Sequence, residues 1–475
     1  MLKKSNFKAN KANFYIFLFL GLLALVLFIS SLDLRRIFDT EKQELQSFAP
    51  TWSNTTQLFD EGDIATMQDM TFNDIPKLAT NLLKSLRDGI IDKENLNLKE
   101  IKIFIKFKNL EKILKDREIA LLNSINKDPR NVPCKISDGI NIYKCKVRLK
   151  GDLSDHWDSA KRMSLRIDVK GGYIYGMKEF SIQKPGTRQF PYDAVFHNLN
   201  KQLGRLSSDS DRFYSVKVNG ESWGVMNAEP IIDEKLIETN AVKRLGIFRI
   251  SNQKLWAHSR LDGSYKGYFI SDPTINISMR GNDREILKNS TLNEIYSHIF
   301  FSLSNKDGNI FDRQAMLGNL VYGLVWGNLH ALYNSNAWYV WNTYEERLEP
   351  VLTDQANWKN TEKYIDSLSS LPFEYKIMLK NNPLTQEEVL AELNNLNTFF
   401  KKNDPIDNIN NLKKKYFPND QIFSKTPIFQ NLSYINENIQ EIVKKINMLA
   451  AIEFQHAKQS KITPEQLDQI EKVGE

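Results

Sequence analysis

Residues 321–358 contain the side chains best suited to chemistry, because polar groups interrupt an apolar and aromatic sequence there. Asn336 stands just before one short apolar run, and Asp354 ends a second one after the turn-like segment 342–347. This pattern predicts two strands joined by a loop, with an amide and a carboxylate at the strand ends. The pair can share one hard cation, since Mg²⁺ prefers oxygen ligands and keeps several waters. In the alternative interpretation, both side chains only satisfy turn backbone.

A second group of charges lies in residues 148–166, between predicted strands. Lys161 and Arg166, on or beside the next predicted strand, are placed to clamp an anionic group. The sequence has no GxxxxGK[ST] or GxGxxG motif, so it does not indicate a phosphate-binding glycine loop. A charged loop between edge strands explains the segment equally well. Glu229, at the end of another predicted strand, either orients a ligand or caps the following segment.

The six histidines are scattered, and the sequence has no HExxH, His-x-His or GxSxG motif. The common zinc-protease and serine-hydrolase sites are therefore not indicated. His330 is the histidine that we single out, because it lies between a predicted helix and Asn336. A packed, hydrogen-bonded histidine is the alternative.

The formal net charge of +6 comes mostly from the N-terminus, where four lysines, Arg35 and Arg36 face only Asp33. The remainder of the chain is close to neutral. Partners that are bound by neutralising phosphates require clustered Lys and Arg, so we expect no nucleic-acid partner.

Residues 13–32 form an uncharged apolar run of about the length that crosses a bilayer as a helix. No small-residue cleavage site follows, which predicts an uncleaved signal anchor. The lysines before it predict that residues 1–12 stay in the cytoplasm and that the globular domain lies in the periplasm or outside the cell. The lipid bilayer is then a partner through residues 13–32.

The two cysteines, Cys134 and Cys145, flank the turn signal at residues 137–139. A hairpin there brings the thiols together, and an exported domain favours a disulfide. Two free structural thiols are the alternative. Two cysteines without clustered histidines do not make a zinc site, so no zinc is expected.

Hydrophobic periodicity predicts four further regions. They are a stalk with helical segments over 33–97, a sheet-rich region over 98–260, a mainly helical region over 261–405, and a helical C-terminal extension over 406–475. Predicted strands include 142–149, 162–169 and 177–183, together with a hairpin that has Asn219-Gly220 at its tip. Predicted helices include 192–203, 281–304, 310–328, 386–402, 407–415 and a long amphipathic helix over 435–449.

In order and spacing, these segments resemble the CotH kinase family, the spore-coat protein H group of atypical protein-kinase-like proteins. The similarity covers roughly residues 98–360 and rests on VRLKGDLSDHW before SLRI, FSIQKPGTR, VKVNGESWGVMNAE, NSNAWY and PVLTD. The resemblance implies an α+β, two-lobed kinase-like fold, with an antiparallel-sheet N-lobe over 98–260 and a mainly helical C-lobe over 261–405. It also implies binding of ATP with Mg²⁺ or Mn²⁺ and phosphorylation of proteins.

The family's cofactor-binding residues match four positions of this chain. The resemblance makes Lys161 the phosphate-contacting lysine, with Arg148 and Arg166 as supporting positive charges. It makes Glu229 the glutamate that ends the hairpin.

Asn336 and Asp354 match the family's metal-binding positions, but two acids of the family pattern are replaced. Leu352 stands in place of the first acid of the Pro-Trp-Asp-x-Asp pattern, and Ala331 in place of the catalytic aspartate. His330 beside it can take over as base, because imidazole titrates near neutrality.

Three functions remain open from the sequence. The first is a membrane-anchored kinase domain that transfers phosphate from ATP to a protein or envelope component outside the cytoplasm. The second is an inactive pseudokinase-like scaffold in cell-envelope, spore-coat or surface-polysaccharide assembly. A sugar-active enzyme is the third, with only the nearby acids of residues 152–158 in its favour.

Overall fold

The computed structural model describes residues 98–123, 126, 129–233, 244–251, 276–279, 289–333, 336–417 and 423–452. The predicted cytoplasmic terminus, transmembrane anchor and stalk, residues 1–97, lie outside these ranges. Residues 89–475 cluster as one compact unit, and all elements below belong to its described part.

Seven strands form a closed barrel in the order β1-β2-β3-β4-β5-β7-β6. They are β1 (Glu100–Ile105), β2 (Val132–Ser137), β3 (Ile142–Leu149), β4 (Leu165–Lys170), β5 (Glu179–Gln183), β6 (Phe213–Val218) and β7 (Glu221–Pro230). Neighbouring strands are antiparallel except β1 and β6, whose parallel pairing closes the barrel. Alternate residues point inward, so Ile103, Val147, Ile167 and Ile182 are fully buried in the barrel core.

Two barrel hairpins agree with the turn chemistry predicted from the sequence. Asn219 and Gly220 join β6 to β7 with left-handed backbones, at φ +51° and +89°. Cys134 on β2 stands opposite Cys145 on β3, and the two form a disulfide. The alternative of two free thiols is therefore excluded.

A second, four-stranded antiparallel sheet has the order β11-β10-β8-β9. Its strands are β8 (Arg244–Ser251), β9 (Asn276–Met279), β10 (Ala337–Asn342) and β11 (Arg347–Leu352). The β10–β11 hairpin confirms the pair of strands predicted between Asn336 and Asp354. Tyr339 and Leu352 on it are fully buried in the main hydrophobic core.

Helices other than α1 (Phe107–Asn123), which packs on the barrel, supply most of that main core. Those in the described ranges are α1 (Phe107–Asn123), α2 (Tyr192–Gln202), α3 (Ser290–Ser304), α4 (Arg313–Trp326), α5 (Thr361–Ser367), α6 (Phe373–Asn381), α7 (Gln386–Lys402), α8 (Pro405–Tyr416), α9 (Ile428–Glu437) and α10 (Ile439–Ala451). The central helix is α4, which is buried from Met316 to Trp326 because it is apolar on every side. Asp312 caps its first turn by accepting from the Ala315 amide at 2.9 Å.

The predicted two-lobed kinase-like fold is wrong, although the chain is α+β. The antiparallel sheet expected over 98–260 closes into a barrel, because β6 returns beside β1. A separate sheet, including β10 and β11, accompanies the helices where a mainly helical lobe was expected. The single long helix expected over 435–449 is also two helices, with Asn438 between them.

The membrane topology expected from the sequence is also corrected. Within the described ranges, every helix is too short or too polar to cross a bilayer. The anchor expected at 13–32 lies outside those ranges, and no described helix supports a single-pass membrane protein.

Candidate functional site

Polar side chains at or just beyond the ends of barrel strands converge on one carboxylate oxygen, Oε2 of Glu229. Lys150 Nζ reaches it at 3.3 Å, Gln183 Nε2 at 2.9 Å, and Arg188 Nε and Nη2 at 3.1 and 2.8 Å. Lys150 also donates to Oε1 of Gln183 at 2.9 Å. The side chains of Lys150, Arg188 and Glu229 are only 12, 11 and 10% exposed. Charges so far from water need close partners, and Glu229 serves both cations.

Strand register explains why Glu229 lies in a charged neighbourhood. Arg148 on β3, Arg166 on β4, Ser181 on β5 and Glu229 on β7 stand opposite one another in successive strands. This row lies on the outer face of the barrel, because the alternate residues of these strands fill the barrel core. Three of the residues predicted to bind a cofactor, Arg148, Arg166 and Glu229, therefore share one row.

Arg188 connects this row to the end of β11. It ends a 3₁₀ turn, Pro185–Arg188, that follows β5. While its Nε and Nη2 face Glu229, its Nη1 lies 2.6 Å from Oδ1 of Asp354. The Asp354 side chain is 32% exposed, so it is the more accessible of the two acids.

A buried hydrogen-bond network fixes the loop that carries Asp354. The backbone of Asp354 is left-handed, at φ +54°, and the next amide, of Gln355, donates to Oδ1 of Asp193 at 2.6 Å. His197 bonds Asp193 through Nε2 at 3.1 Å and Ser207 through Nδ1 at 2.8 Å. The set has the composition of a Ser–His–Asp triad, but Asp193, His197 and Ser207 are at most 1% exposed. No substrate reaches the serine, so the network positions the Asp354 loop.

His330 and Asn336 lie beside Asp354 and differ in what they contact. His330 Nε2 is 3.9 Å from Oδ2 of Asp354, which is too long for a hydrogen bond. Asn336 donates through Nδ2 to the His330 carbonyl at 2.9 Å, and its own carbonyl accepts from the Thr353 hydroxyl. The two predicted metal residues thus lie at the open end of one hairpin, and the Asn336 side chain binds turn backbone, as in the alternative interpretation.

The loop after Lys150 borders the site. Gly151 has a left-handed backbone, at φ +91°, and a Cβ atom there would lie 2.0 Å from Cγ of His156. Asn126 Nδ2 and Trp157 Nε1 each donate to the Gly151 carbonyl at 3.1 Å. Only glycine permits this close passage, which fixes the chain directly after Lys150.

The charges of the site shift one another's titration. Burial lowers the pKa of Lys150 to about 7, and repulsion from Arg188 adds to that shift. Burial alone would raise the pKa values of Glu229 and Asp354, but the neighbouring positive charges and hydrogen bonds, those of Arg188 first, outweigh it and hold both pKa values below their usual range. Strongly shifted groups gathered in one place are typical of functional sites.

The structure places Lys161 away from this cluster. Its Nζ pairs with Glu221 at 2.6 Å, and both side chains are 52% exposed. Lys150 instead is the lysine of the cluster, with its Nζ 3.3 Å from Oε2 of Glu229. In the sequence, Lys150 could be singled out by its place at the end of a predicted strand, directly before Gly151. The sequence patterns did not indicate Arg188 or Asp193, although Arg188 ends the segment FSIQKPGTR, which is part of the family resemblance.

The acids of the site suit a cation that arrives with a phosphate ligand. In the described ranges, no three His, Cys, Asp or Glu side chains are grouped as a dedicated metal cage requires. Mg²⁺ that is bound with substrate phosphates uses one or two carboxylates and keeps several waters. The partly exposed Asp354 fits that requirement.

Comparison of the chain with protein-family models gives no match, and neither does comparison with curated protein sequences. The resemblance to the CotH kinase family therefore stays a prediction.

Proposed function

We propose that the protein binds a nucleoside triphosphate with Mg²⁺ or Mn²⁺ at Lys150, Arg188 and Asp354, and transfers its terminal phosphoryl group to a protein hydroxyl. The observation that carries this proposal is the sharing of Glu229 by two buried cations, one of which also reaches Asp354. Lys150 and Arg188 suit phosphate oxygens, and Asp354 suits the accompanying cation.

A purely structural role explains this cluster less well. A buried ion-pair network adds little to net stability, because desolvation offsets most of the attraction. Here two acids and two bases stand together with side chains that are only 10 to 32% exposed. A ligand that carries both phosphate and a divalent cation has charges that complement all four.

Binding without transfer is the second candidate, and one observation favours it. Ala331, fully buried, stands where a catalytic acid was expected. The His330 imidazole faces Asp354 at 3.9 Å, and a role as base requires the acceptor hydroxyl to bind beside it. Under this candidate the site holds a nucleotide and the protein acts as a scaffold.

Labelled phosphate separates the two candidates. We expect the full chain, incubated with γ-labelled ATP and Mn²⁺, to transfer label to protein, and Asp354→Ala to lose this transfer. Lys161→Ala is the matched control, since that lysine lies outside the cluster, and it should retain the activity. Nucleotide binding without any transfer would support the scaffold, and unchanged transfer in Asp354→Ala would refute the assigned role of Asp354.

A further inference from the structure

The guanidinium of Arg188 divides its donors unequally between two acids. Nε and Nη2 both bond Oε2 of Glu229, whereas Nη1 alone contacts Asp354. Glu229 is 10% exposed and Asp354 is 32% exposed. One end of the guanidinium is thus held on a buried acid, and the other covers the acid that a ligand can reach.

The two segments stay joined without the Nη1 contact. Gln189 Oε1 accepts from the Asn357 amide at 2.9 Å, and Asp193 accepts from the Gln355 amide at 2.6 Å. Both bonds hold the chain after Asp354 against the region that follows Arg188. The Nη1 atom can therefore change partner while the backbone around it stays in place.

We infer that Nη1 of Arg188 and a divalent cation compete for the Asp354 carboxylate, and that the released Nη1 becomes a donor to the anionic oxygens of the ligand. A guanidinium on Oδ1 and a dication on Oδ2 of one carboxylate would stand close enough to repel strongly. This inference rests on the proposed function and adds a regulatory step, because Arg188 neutralises Asp354 until cation and phosphate are both available.

Arg188→Gln tests the competition, because the variant should strengthen Mn²⁺ binding and weaken ATP binding. We expect Mn²⁺ alone to bind the variant about tenfold more tightly than the wild-type chain, since the competing cation is gone. We expect ATP without metal, in EDTA, to bind about tenfold more weakly, since one charge-assisted donor is lost. Isothermal titration of the full chain measures both affinities.

Two further variants keep the test decisive. Arg130→Gln is the matched control, because Arg130 also pairs with an aspartate, Asp116, but lies outside the site; it should change neither affinity. Arg188→Lys retains a charge for Glu229 but cannot contact both acids, so it should also bind Mn²⁺ more tightly. Melting temperatures identify any variant that fails to fold.

The outcomes distinguish this inference from the proposed function. Tighter Mn²⁺ binding with weaker ATP binding supports the competition. Mn²⁺ affinity that is unchanged or reduced in the folded Arg188 variants overturns it, while the proposed function stands if the wild-type chain binds ATP with Mn²⁺. A wild-type chain that binds neither ligand overturns both.

Discussion

At the scale of single residues, the behaviour of the site depends on how Glu229 is shared. Arg188 binds its Oε2 at 2.8 Å and Lys150 at 3.3 Å, so the arginine is the stronger partner. The lysine is left buried beside another positive charge. Its ammonium is therefore easily deprotonated and gains most from an added anion.

The pH dependence of nucleotide affinity should reveal Lys150. Because burial and Arg188 lower its pKa to about 7, the lysine loses its charge as pH rises through that value. We expect affinity for ATP to fall between pH 6 and pH 8 in the wild-type chain, and Lys150→Met to bind weakly at both. Lys161→Met should keep the wild-type profile. A pH-independent affinity in the wild-type chain would count against a role for Lys150.

Glu374 on α6 predicts a pH dependence of stability that is unrelated to ligand. It is fully buried, and no other described residue bonds its carboxyl oxygens, so burial raises its pKa from 4.5 to about 8. The neutral carboxyl leaves the free energy of unfolding undiminished below pH 4.5. As pH rises from there through about 8, this free energy falls, and the loss is roughly 3 kcal/mol at pH 7. Between pH 5 and pH 8, the free energy of unfolding in urea should fall less in Glu374→Gln than in the wild-type chain. An equal fall in both would contradict the raised pKa of Glu374.

The residues of the site were only partly predictable from the sequence. Glu229 and Asp354 could be found because each ends a strand that the local pattern predicts. Lys150 also follows a predicted strand, but the contacts of Lys150 and Arg188 with Glu229 span 79 and 41 residues, so the sequence did not show that these side chains meet. Hydrophobic periodicity does not report which distant strand ends meet.

At the scale of elements, the loop after β3 should be sensitive to one methyl group. Gly151→Ala requires a left-handed alanine and places Cβ against His156. Gly171→Ala is the matched control, with φ +74° but no atom within 4 Å of the added Cβ. We expect Gly151→Ala to be less stable than the control by about 1 kcal/mol or more, and to weaken ATP binding. Equal melting temperatures would show that the close passage is not needed.

The disulfide of the β2–β3 hairpin should stabilise the barrel. Cys134 and Cys145 are separated by 11 residues, and closing a loop of that length contributes about 3 kcal/mol through the unfolded state. Replacing both by alanine should lower the free energy of unfolding by about that amount without changing ATP affinity. Chemical denaturation measures the free energy of unfolding. An unchanged denaturation midpoint would refute the stabilising role of the disulfide.

The elements themselves follow the sequence more closely than their arrangement does. Alternating residues and turn signals predicted β3, the β6–β7 hairpin and the β10–β11 hairpin. Barrel closure was not predictable, because β1 and β6 pair in parallel across more than 100 residues and no local pattern encodes that contact. The break at Asn438 was missed because the apolar spacing continues through it.

At the scale of the whole molecule, the site joins two structural parts of one compact unit. Lys150 and Glu229 come from the barrel, and Asp354 and His330 come from the part built of the second sheet and the helices. Arg188 bridges the two through one guanidinium. A ligand held at this junction contacts both parts, so binding should stabilise the whole unit against unfolding.

The most direct test is calorimetric titration of the full chain with ATP in the presence of Mn²⁺. A site at Lys150, Arg188 and Asp354 predicts one bound nucleotide per chain and at least tenfold weaker binding in Asp354→Asn, because the carboxylate charge is lost. Equal affinity in the wild-type chain and Asp354→Asn, or no binding by the wild-type chain, would contradict it.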